Sequence, residues 1–233
     1  MKLDFILFAV VPYVAVAIEL VASFMRYFTQ RYKISSLSSE FLEQQQLFWG
    51  SVPWHYGIMF VLFGHVVAFL FPRDILLWNS VPVRLLILEA TALSFGLLAL
   101  IGLTMLIYRR LTNKRIGAVT TKMDIVVLIM LLVQVATGVG TALFTRWGSS
   151  WYAAALVPYL KSLFMLSPNI DYLAFRPWWI KVHILNAFAI IAILPFTRLV
   201  HFLILPVSYI WRSYQVVIWN YDRKKIRSQE RKV

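Results

Sequence analysis

The 233-residue chain contains four histidines, His55, His65, His183 and His201, and no cysteine. All four histidines fall in long apolar stretches, where an ionisable side chain is costly and therefore marks a functional candidate. The simpler alternative for any one of them is a hydrogen bond to a backbone carbonyl of a neighbouring helix. Neutral imidazole ligates iron, copper, nickel or zinc. The depth at which each histidine lies decides between these possibilities.

Five apolar stretches are separated by loops in this chain, which is 61% hydrophobic and only 14% charged. An α-helix needs roughly 20 residues to cross about 30 Å of hydrocarbon, and each stretch is long enough. The stretches comprise residues 4–24, 52–71, 83–108, 123–144 and 178–207. The sequence therefore predicts an all-α membrane protein with five transmembrane helices. We expect one domain over residues 1–233, with a basic tail at 208–233.

The chain has a formal net charge of +13, and most of its 23 Lys and Arg lie in the loops after spans one and three and in the tail. Because such loops are retained in the cytoplasm, we expect the N-terminus outside and the C-terminus in the cytoplasm, in a multi-pass protein of the cell inner (cytoplasmic) membrane. The charge pattern is explained without nucleic acid. The run from Arg223 to Arg227 is predicted to bind either anionic membrane lipid or an acidic partner.

The histidines lie in spans two and five, which run in opposite directions across the predicted bundle. Span two is predicted to begin at residues 51–53, which places His55 near its inner end. His65 follows ten residues later, about 15 Å further out at 1.5 Å per residue. His183 lies near the outer end of span five, and His201 follows eighteen residues later, about 27 Å deeper. The four histidines therefore occupy two levels.

Matched depths pair His65 with His183 on the outer side and His55 with His201 on the inner side. Eighteen residues equal five helical turns, so His183 and His201 are expected on one face unless Pro195 bends the helix. Imidazoles at matched depths on facing helices suit two bis-histidine haems b held between spans two and five. Structural zinc needs four ligands around one centre, which this spread of depths excludes. Haem iron is the only metal expected.

Glycines and polar side chains within the spans leave two alternatives open. The glycines allow either a haem macrocycle or a neighbouring helix to lie against the backbone. They are Gly57, Gly64, Gly96, Gly102, Gly138 and Gly140. Glu19, Gln134 and Asn186 are predicted to form hydrogen bonds between helices, with proton relay as the alternative.

Other functions have less support in the sequence. Without cysteine, and with every histidine used as a ligand, no catalytic nucleophile is expected. A transporter with histidine proton relays would need broken helices and usually internal repeats, and no repeat is evident. The absence of cysteine also means that any thiolate-held iron–sulfur cluster belongs to a partner chain.

The chain resembles the gamma subunit of respiratory nitrate reductase, the membrane cytochrome b of that complex. The resemblance covers essentially the whole chain. It is carried by the run from Pro195 to His201, by Gly64-His65, and by Ala118-Val119-Thr120-Thr121 with Asp124. Further matching residues are Tyr13, Arg26-Tyr27, Pro206, Tyr209, Arg212 and Tyr214-Gln215.

This resemblance implies a distal haem at His65 and His183 and a proximal haem at His55 and His201. It also implies that quinol is oxidised beside the distal haem and that protons leave on the outer side. Electrons then pass to an iron–sulfur subunit and on to a molybdopterin catalytic subunit, both on the cytoplasmic side, so that nitrate chemistry resides in a partner. The alternative is a homologous cytochrome b of a heterodisulfide reductase, sulfite reductase or other molybdenum oxidoreductase complex.

One position departs from the family pattern. The family has a lysine associated with the quinol site a few residues after the proline that opens span three, and Leu86 stands at that place here. Arg84 and Glu89 are the nearest charged residues. We expect Gly64, His65 and Arg84 to contact quinol. The alternative for Arg84 is an interfacial side chain whose charge reaches the headgroup region.

Overall fold

A computed structural model describes residues 2–29 and 45–199, in which every regular element is helical. Five helices are long and apolar enough to cross a membrane, as predicted. They are α1 (Leu3–Thr29), α2 (Gln45–Leu70), α3 (Pro82–Thr112), α4 (Lys122–Phe144) and α5 (Trp178–Phe196). The predictions for His201, for the end of span five and for the tail concern residues outside the described ranges.

The predicted start of span two at residues 51–53 is wrong. Helix α2 already includes Gln45, and Pro53 lies inside it. Apolar length marks only the part of a helix that crosses hydrocarbon, whereas the helix itself extends beyond that region. His55 therefore lies ten residues after Gln45 rather than in the first turn.

The predicted span over residues 178–207 is not one continuous α-helix as far as the described residues extend, to Leu199. The α-helical part of α5 ends at Ile193, and a 3-10 turn follows over Leu194–Phe196. Pro195 has no N–H and its ring clashes with the preceding turn, and Thr197 is extended. The five-turn relation between His183 and His201 therefore does not apply, because the helix ends between them.

The helices pack in a definite order. Helix α1 contacts α5, α5 contacts α4, α4 contacts α3, and α3 contacts α2. Among the described residues, α2 and α5 are not one of the closely packed pairs. One apolar cluster joins α2, α3 and α4 and contains Trp54, Ala99, Leu103, Val135 and Val139. The two histidine-bearing helices are therefore held in place through α3 and α4.

Glycines bring α2 and α3 into close contact. A Cβ placed on Gly57 would lie 2.5 Å from the backbone nitrogen of Ala99. A Cβ on Gly102 would collide with the backbone of Trp54 in the same way. At these two positions helix packing, rather than a macrocycle, requires the absence of a side chain.

The connection between α4 and α5 is largely helical. It contains a π-helical turn at Tyr152–Leu156 followed by an α-helix at Val157–Phe164. Tyr159 is fully buried and donates its hydroxyl proton to the Phe8 carbonyl oxygen at 2.7 Å. Phe8 lies in a π-helical turn of α1. This connection thus packs against α1 as part of the folded core.

One end of the bundle is tied together by Asp124, at the start of α4. Its carboxylate lies 3.3 Å from Arg110 Nη1, near the end of α3, and 3.1 Å from Arg198 Nε, just after α5. It also accepts the backbone N–H of Thr121, whose hydroxyl accepts the Asp124 N–H in return. We call this the Asp124 end.

Polar contacts also join the helices at the opposite end. Lys181, near the start of α5, lies 3.6 Å from Asp4, near the start of α1. Glu89, near the start of α3, accepts the N–H and the hydroxyl of Ser149 at 2.8 and 2.6 Å. Tyr152 follows Ser149 by three residues, and we call this the Tyr152 end.

The close approach of α2 and α3 predicts that Gly102→Ala is destabilising. The added methyl must push the two backbones apart, at a cost of about 1–3 kcal/mol. Gly117→Ala is the matched control, because a Cβ there meets no described atom within 4 Å. Thermal unfolding in detergent should show a lower midpoint for Gly102→Ala only. Equal midpoints for the two variants would contradict this packing.

The Asp124 contacts predict that Asp124→Asn loses stability through its charge. Asn still caps the helix, but two arginines lose their counter-ion, which should cost about 2–3 kcal/mol. Asp74→Asn, at an exposed aspartate, is the control. Thermal unfolding at low and high salt measures the effect, and a variant as stable as the control would show that the ion pairs contribute nothing.

Candidate functional site

His183 lies on α5 with its ring against α4. Its Nδ1 is 3.0 Å from the carbonyl oxygen of Gln134 and 3.0 Å from the Thr137 hydroxyl oxygen. Its Nε2 is 3.1 Å from the side-chain nitrogen of Gln134. The ring also lies directly on Gly138, where a Cβ would be 3.1 Å from His183 Cε1. Gly138 thus makes room for the imidazole itself.

The hydrogen bonds of His183 determine which ring nitrogen carries the proton. A carbonyl oxygen only accepts hydrogen bonds, so Nδ1, which faces the Gln134 carbonyl, must be the donor. The Gln134 amide accepts from Asn186 Nδ2 through its oxygen at 2.8 Å, which directs its NH₂ group at His183 Nε2. Nε2 is therefore the nitrogen with the lone pair.

His65 and His55 also donate from Nδ1, in each case to a carbonyl oxygen of their own helix. His65 Nδ1 lies 2.8 Å from the Val61 carbonyl oxygen, one turn earlier in α2. His55 Nδ1 lies 2.7 Å from the Ser51 carbonyl oxygen, also one turn earlier. All three described histidines thus donate from Nδ1 to a backbone carbonyl. This second bond is the one that metal-ligating histidines usually make, with the lone pair of the other nitrogen directed at the metal.

The structure brings His65 and His183 near each other. Their imidazoles interact electrostatically, although α2 and α5 are not among the closely packed helix pairs of the described residues. His55 lies ten residues earlier in α2, and its predicted partner His201 lies outside the described residues. Within residues 2–29 and 45–199, no three His, Asp or Glu side chains converge as a metal site of the zinc type would require.

This arrangement fits a bis-histidine haem better than a small metal site. A haem iron takes one imidazole on each side of the macrocycle, so the helices that supply the ligands must stand apart. Helices α2 and α5 are not a closely packed pair among the described residues, and a Cβ placed on Gly64, next to His65, meets no described atom within 4 Å. His65 and His55 are both exposed in the protein alone. The donor set is the one that the group needs.

The remaining glycines are less informative. A Cβ on Gly96 would make ordinary contact with Val139 at 3.4 Å. A Cβ on Gly140 would meet only Phe144 of its own helix, at 3.9 Å. Neither position requires a glycine on grounds of space.

The polar residues predicted to bond between helices do so in two of three cases. Asn186 on α5 donates to Gln134 and to the Met130 carbonyl oxygen on α4, at 2.8 and 2.9 Å. Glu19 instead accepts from Ser23 at 3.0 Å, one turn later in α1. Gln134 and Asn186 therefore belong to the surroundings of His183.

Tyr152 is a site residue that the sequence analysis missed. Its ring meets the His65 ring edge-on, with centroids 5.1 Å apart and planes at 82°. Its hydroxyl donates to the His65 carbonyl oxygen at 3.2 Å. Burial raises the pKa of Tyr152 to about 12, so the phenol stays protonated at neutral pH and remains a donor. No local pattern connects residues 87 positions apart.

The predicted quinol residues have the following surroundings. Arg84 is exposed, and its guanidinium carbon lies 5.2 Å from the centroid of the Trp78 ring. Leu86, at the place of the family's lysine, is exposed on α3. Glu89 is bound to Ser149, as described above, and Gly64 is exposed beside His65. These contacts place Arg84 in an aromatic pair at the Tyr152 end.

Known proteins are similar to this chain over nearly its whole length. A family model for the nitrate reductase gamma subunit matches residues 4–220. The nitrate reductase gamma chain of Bacillus subtilis (strain 168) is 31% identical over 214 residues, which cover 91% of this chain and 96% of the relative. The respiratory nitrate reductase 1 gamma chain of Escherichia coli (strain K12) is 30% identical over 223 residues, which cover 92% of this chain and 97% of the relative.

A longer relative matches over part of its length. The nitrate reductase-like protein NarX of Mycobacterium tuberculosis (strain CDC 1551 / Oshkosh) is 32% identical over 216 residues, which cover 88% of this chain and 32% of the relative. The residues matched by the family model include all four histidines and all five helices except Leu3, the first residue of α1. The chain is therefore a multi-pass membrane protein that belongs to the nitrate reductase gamma subunit family.

Proposed function

We propose that this chain is the membrane cytochrome b subunit of a nitrate reductase complex and binds two haems b. The observation that carries the proposal is the common state of the three described histidines. Each donates from Nδ1 to a backbone carbonyl and keeps its lone pair on Nε2, as an iron ligand must. The names of the relatives favour nitrate reductase over the heterodisulfide or sulfite reductase alternative.

His65 and His183 would hold the distal haem at the Tyr152 end, and His55 and His201 the proximal haem toward the Asp124 end. When bound, each haem supplies one-electron chemistry at its iron. The residues of the chain fix the ligands: the Nδ1 hydrogen bonds set the tautomer, and Tyr152 limits rotation of the His65 ring by its edge-on contact. Helices α3 and α4 hold α2 and α5 apart.

Quinol oxidation is assigned to the Tyr152 end, with Gly64, His65 and Arg84 as its contacts. The basic loop between α3 and α4 lies at the Asp124 end, where Lys114, Arg115 and Lys122 are exposed. By the positive-inside tendency that end faces the cytoplasm, where an iron–sulfur subunit and a molybdopterin subunit would receive the electrons. Quinol protons would leave on the opposite side. Electron delivery and proton release on opposite sides would contribute to the membrane potential, at about 2.3 kcal/mol per charge per 100 mV.

The haem assignment predicts two low-spin b-type haems per chain. His183→Ala should reduce this to one, because the haem at the Tyr152 end loses an axial ligand while the other haem keeps both. A pyridine haemochrome assay on the purified protein gives the number, and electron paramagnetic resonance shows which low-spin signal is lost. Asn169→Ala, in the connection before α5, is the control and should retain both haems. One haem or none in the unaltered chain would overturn the assignment.

The quinol assignment predicts that Arg84→Ala slows haem reduction by a quinol analogue. Removing one hydrogen bond from a charged donor costs about 1.5–3 kcal/mol, or roughly 10- to 150-fold in affinity. Stopped-flow spectroscopy of haem reduction measures the effect, with haem content checked in parallel. Arg73→Ala, at a second exposed arginine near the Tyr152 end, is the control. If Arg84→Ala and Arg73→Ala give the same rate as the unaltered chain, Arg84 is an interfacial residue only.

A further inference from the structure

The hydroxyl of Thr137 forms a directed hydrogen bond with His183. Thr137 has a single hydroxyl proton, and its oxygen lies 2.6 Å from the Val133 carbonyl oxygen, one turn earlier in α4, and 3.1 Å from the Gln134 carbonyl oxygen, so the shorter bond is to Val133. That carbonyl accepts the proton, which leaves a lone pair of the Thr137 oxygen toward His183 Nδ1 at 3.0 Å. Thr137 is thus an acceptor for the His183 N–H, in addition to the Gln134 carbonyl.

His183 Nε2 accepts a hydrogen bond, whereas Nδ1 donates. The Gln134 amide donates to Nε2, and an iron bound there would take its place. The two acceptors at Nδ1 are on the far side of the ring and do not compete with a ligand at Nε2. The hydrogen bonds from His183 to Thr137 and to the Gln134 backbone would therefore persist when the site is filled.

We propose that Thr137 is a positioning residue that sets the orientation and basicity of His183, and through it the reduction potential of the distal haem. This inference rests on the proposed function. An acceptor at Nδ1–H draws that proton away from the ring and makes Nε2 a stronger donor to iron. A stronger donor stabilises the ferric state more than the ferrous state. Loss of the Thr137 acceptor should therefore make this haem easier to reduce.

Thr137→Val tests this directly, because valine keeps the branched shape and has a methyl group in place of the hydroxyl. Redox titration of the two-haem protein should show one midpoint potential shifted to a more positive value, by about threefold or more in the reduction equilibrium constant. The other haem should keep its potential. Electron paramagnetic resonance of the shifted haem should change as well, since the imidazole has lost one of the bonds that fix its plane.

Two variants separate positioning from packing. Thr137→Ser restores the hydroxyl and should return the potential toward that of the unaltered chain. Thr141→Val is the matched control, because Thr141 lies one turn later in α4 and its hydroxyl donates to the Thr137 carbonyl oxygen at 2.8 Å rather than bonding His183. It should leave both potentials unchanged. The haem content of each variant shows that the site has folded.

The outcomes distinguish this inference from the proposed function. Two haems in the unaltered chain, with no shift in Thr137→Val beyond that of Thr141→Val, would overturn the role of Thr137 and leave the cytochrome assignment intact. Equal shifts in Thr137→Val and Thr137→Ser would also overturn it, since the hydroxyl would then be irrelevant. An unaltered chain without haem would refute both.

Discussion

A histidine inside an apolar helix bundle must find an acceptor for its ring N–H, because little water is available there and an unpaired polar group is costly. In α2 the acceptor is the carbonyl one turn earlier, and in α5 it is a carbonyl of α4. The bond that satisfies the ring also fixes the lone pair on Nε2. The proposed haem ligation depends on this constraint, because a histidine in the opposite tautomer would present an N–H to the iron.

The correct histidine tautomers would not allow haem binding if α2 and α5 packed against each other, because the macrocycle needs space between them. Gly57 and Gly102 let α2 lie directly on α3, and Gly138 lets the His183 ring lie on α4. The distance between α2 and α5 is therefore set by the two helices that stand between them in the packing order. Glycines thus allow close contact at one side of α2, whereas a Cβ on Gly64 of the same helix would meet no described atom within 4 Å.

Hydropathy predicted the five helices because bilayer thickness limits the length of an apolar span. It also singled out the histidines, because an ionisable side chain within an apolar span can be recognised from the sequence alone. The helix phase of His183 and His201 could not be predicted, since the break after Ile193 depends on how the chain accommodates Pro195. Tyr152 and Thr137 were missed because their partners lie 87 and 46 residues away. Contacts of that kind follow from the packing of helices and from no local pattern.

The break in α5 changes how a ligand can be supplied at the Asp124 end. With the α-helix ended at Ile193, helix phase no longer determines the direction of the following residues. The chain is held again at Arg198, whose guanidinium bonds Asp124 at 3.1 Å and the Val119 carbonyl oxygen at 3.4 Å. His201 follows Arg198 by three residues in the sequence, a reach of about 10 Å at most. Under the proposed haem assignment, the ion pair between Arg198 and Asp124 is therefore the last described contact that holds the chain before His201.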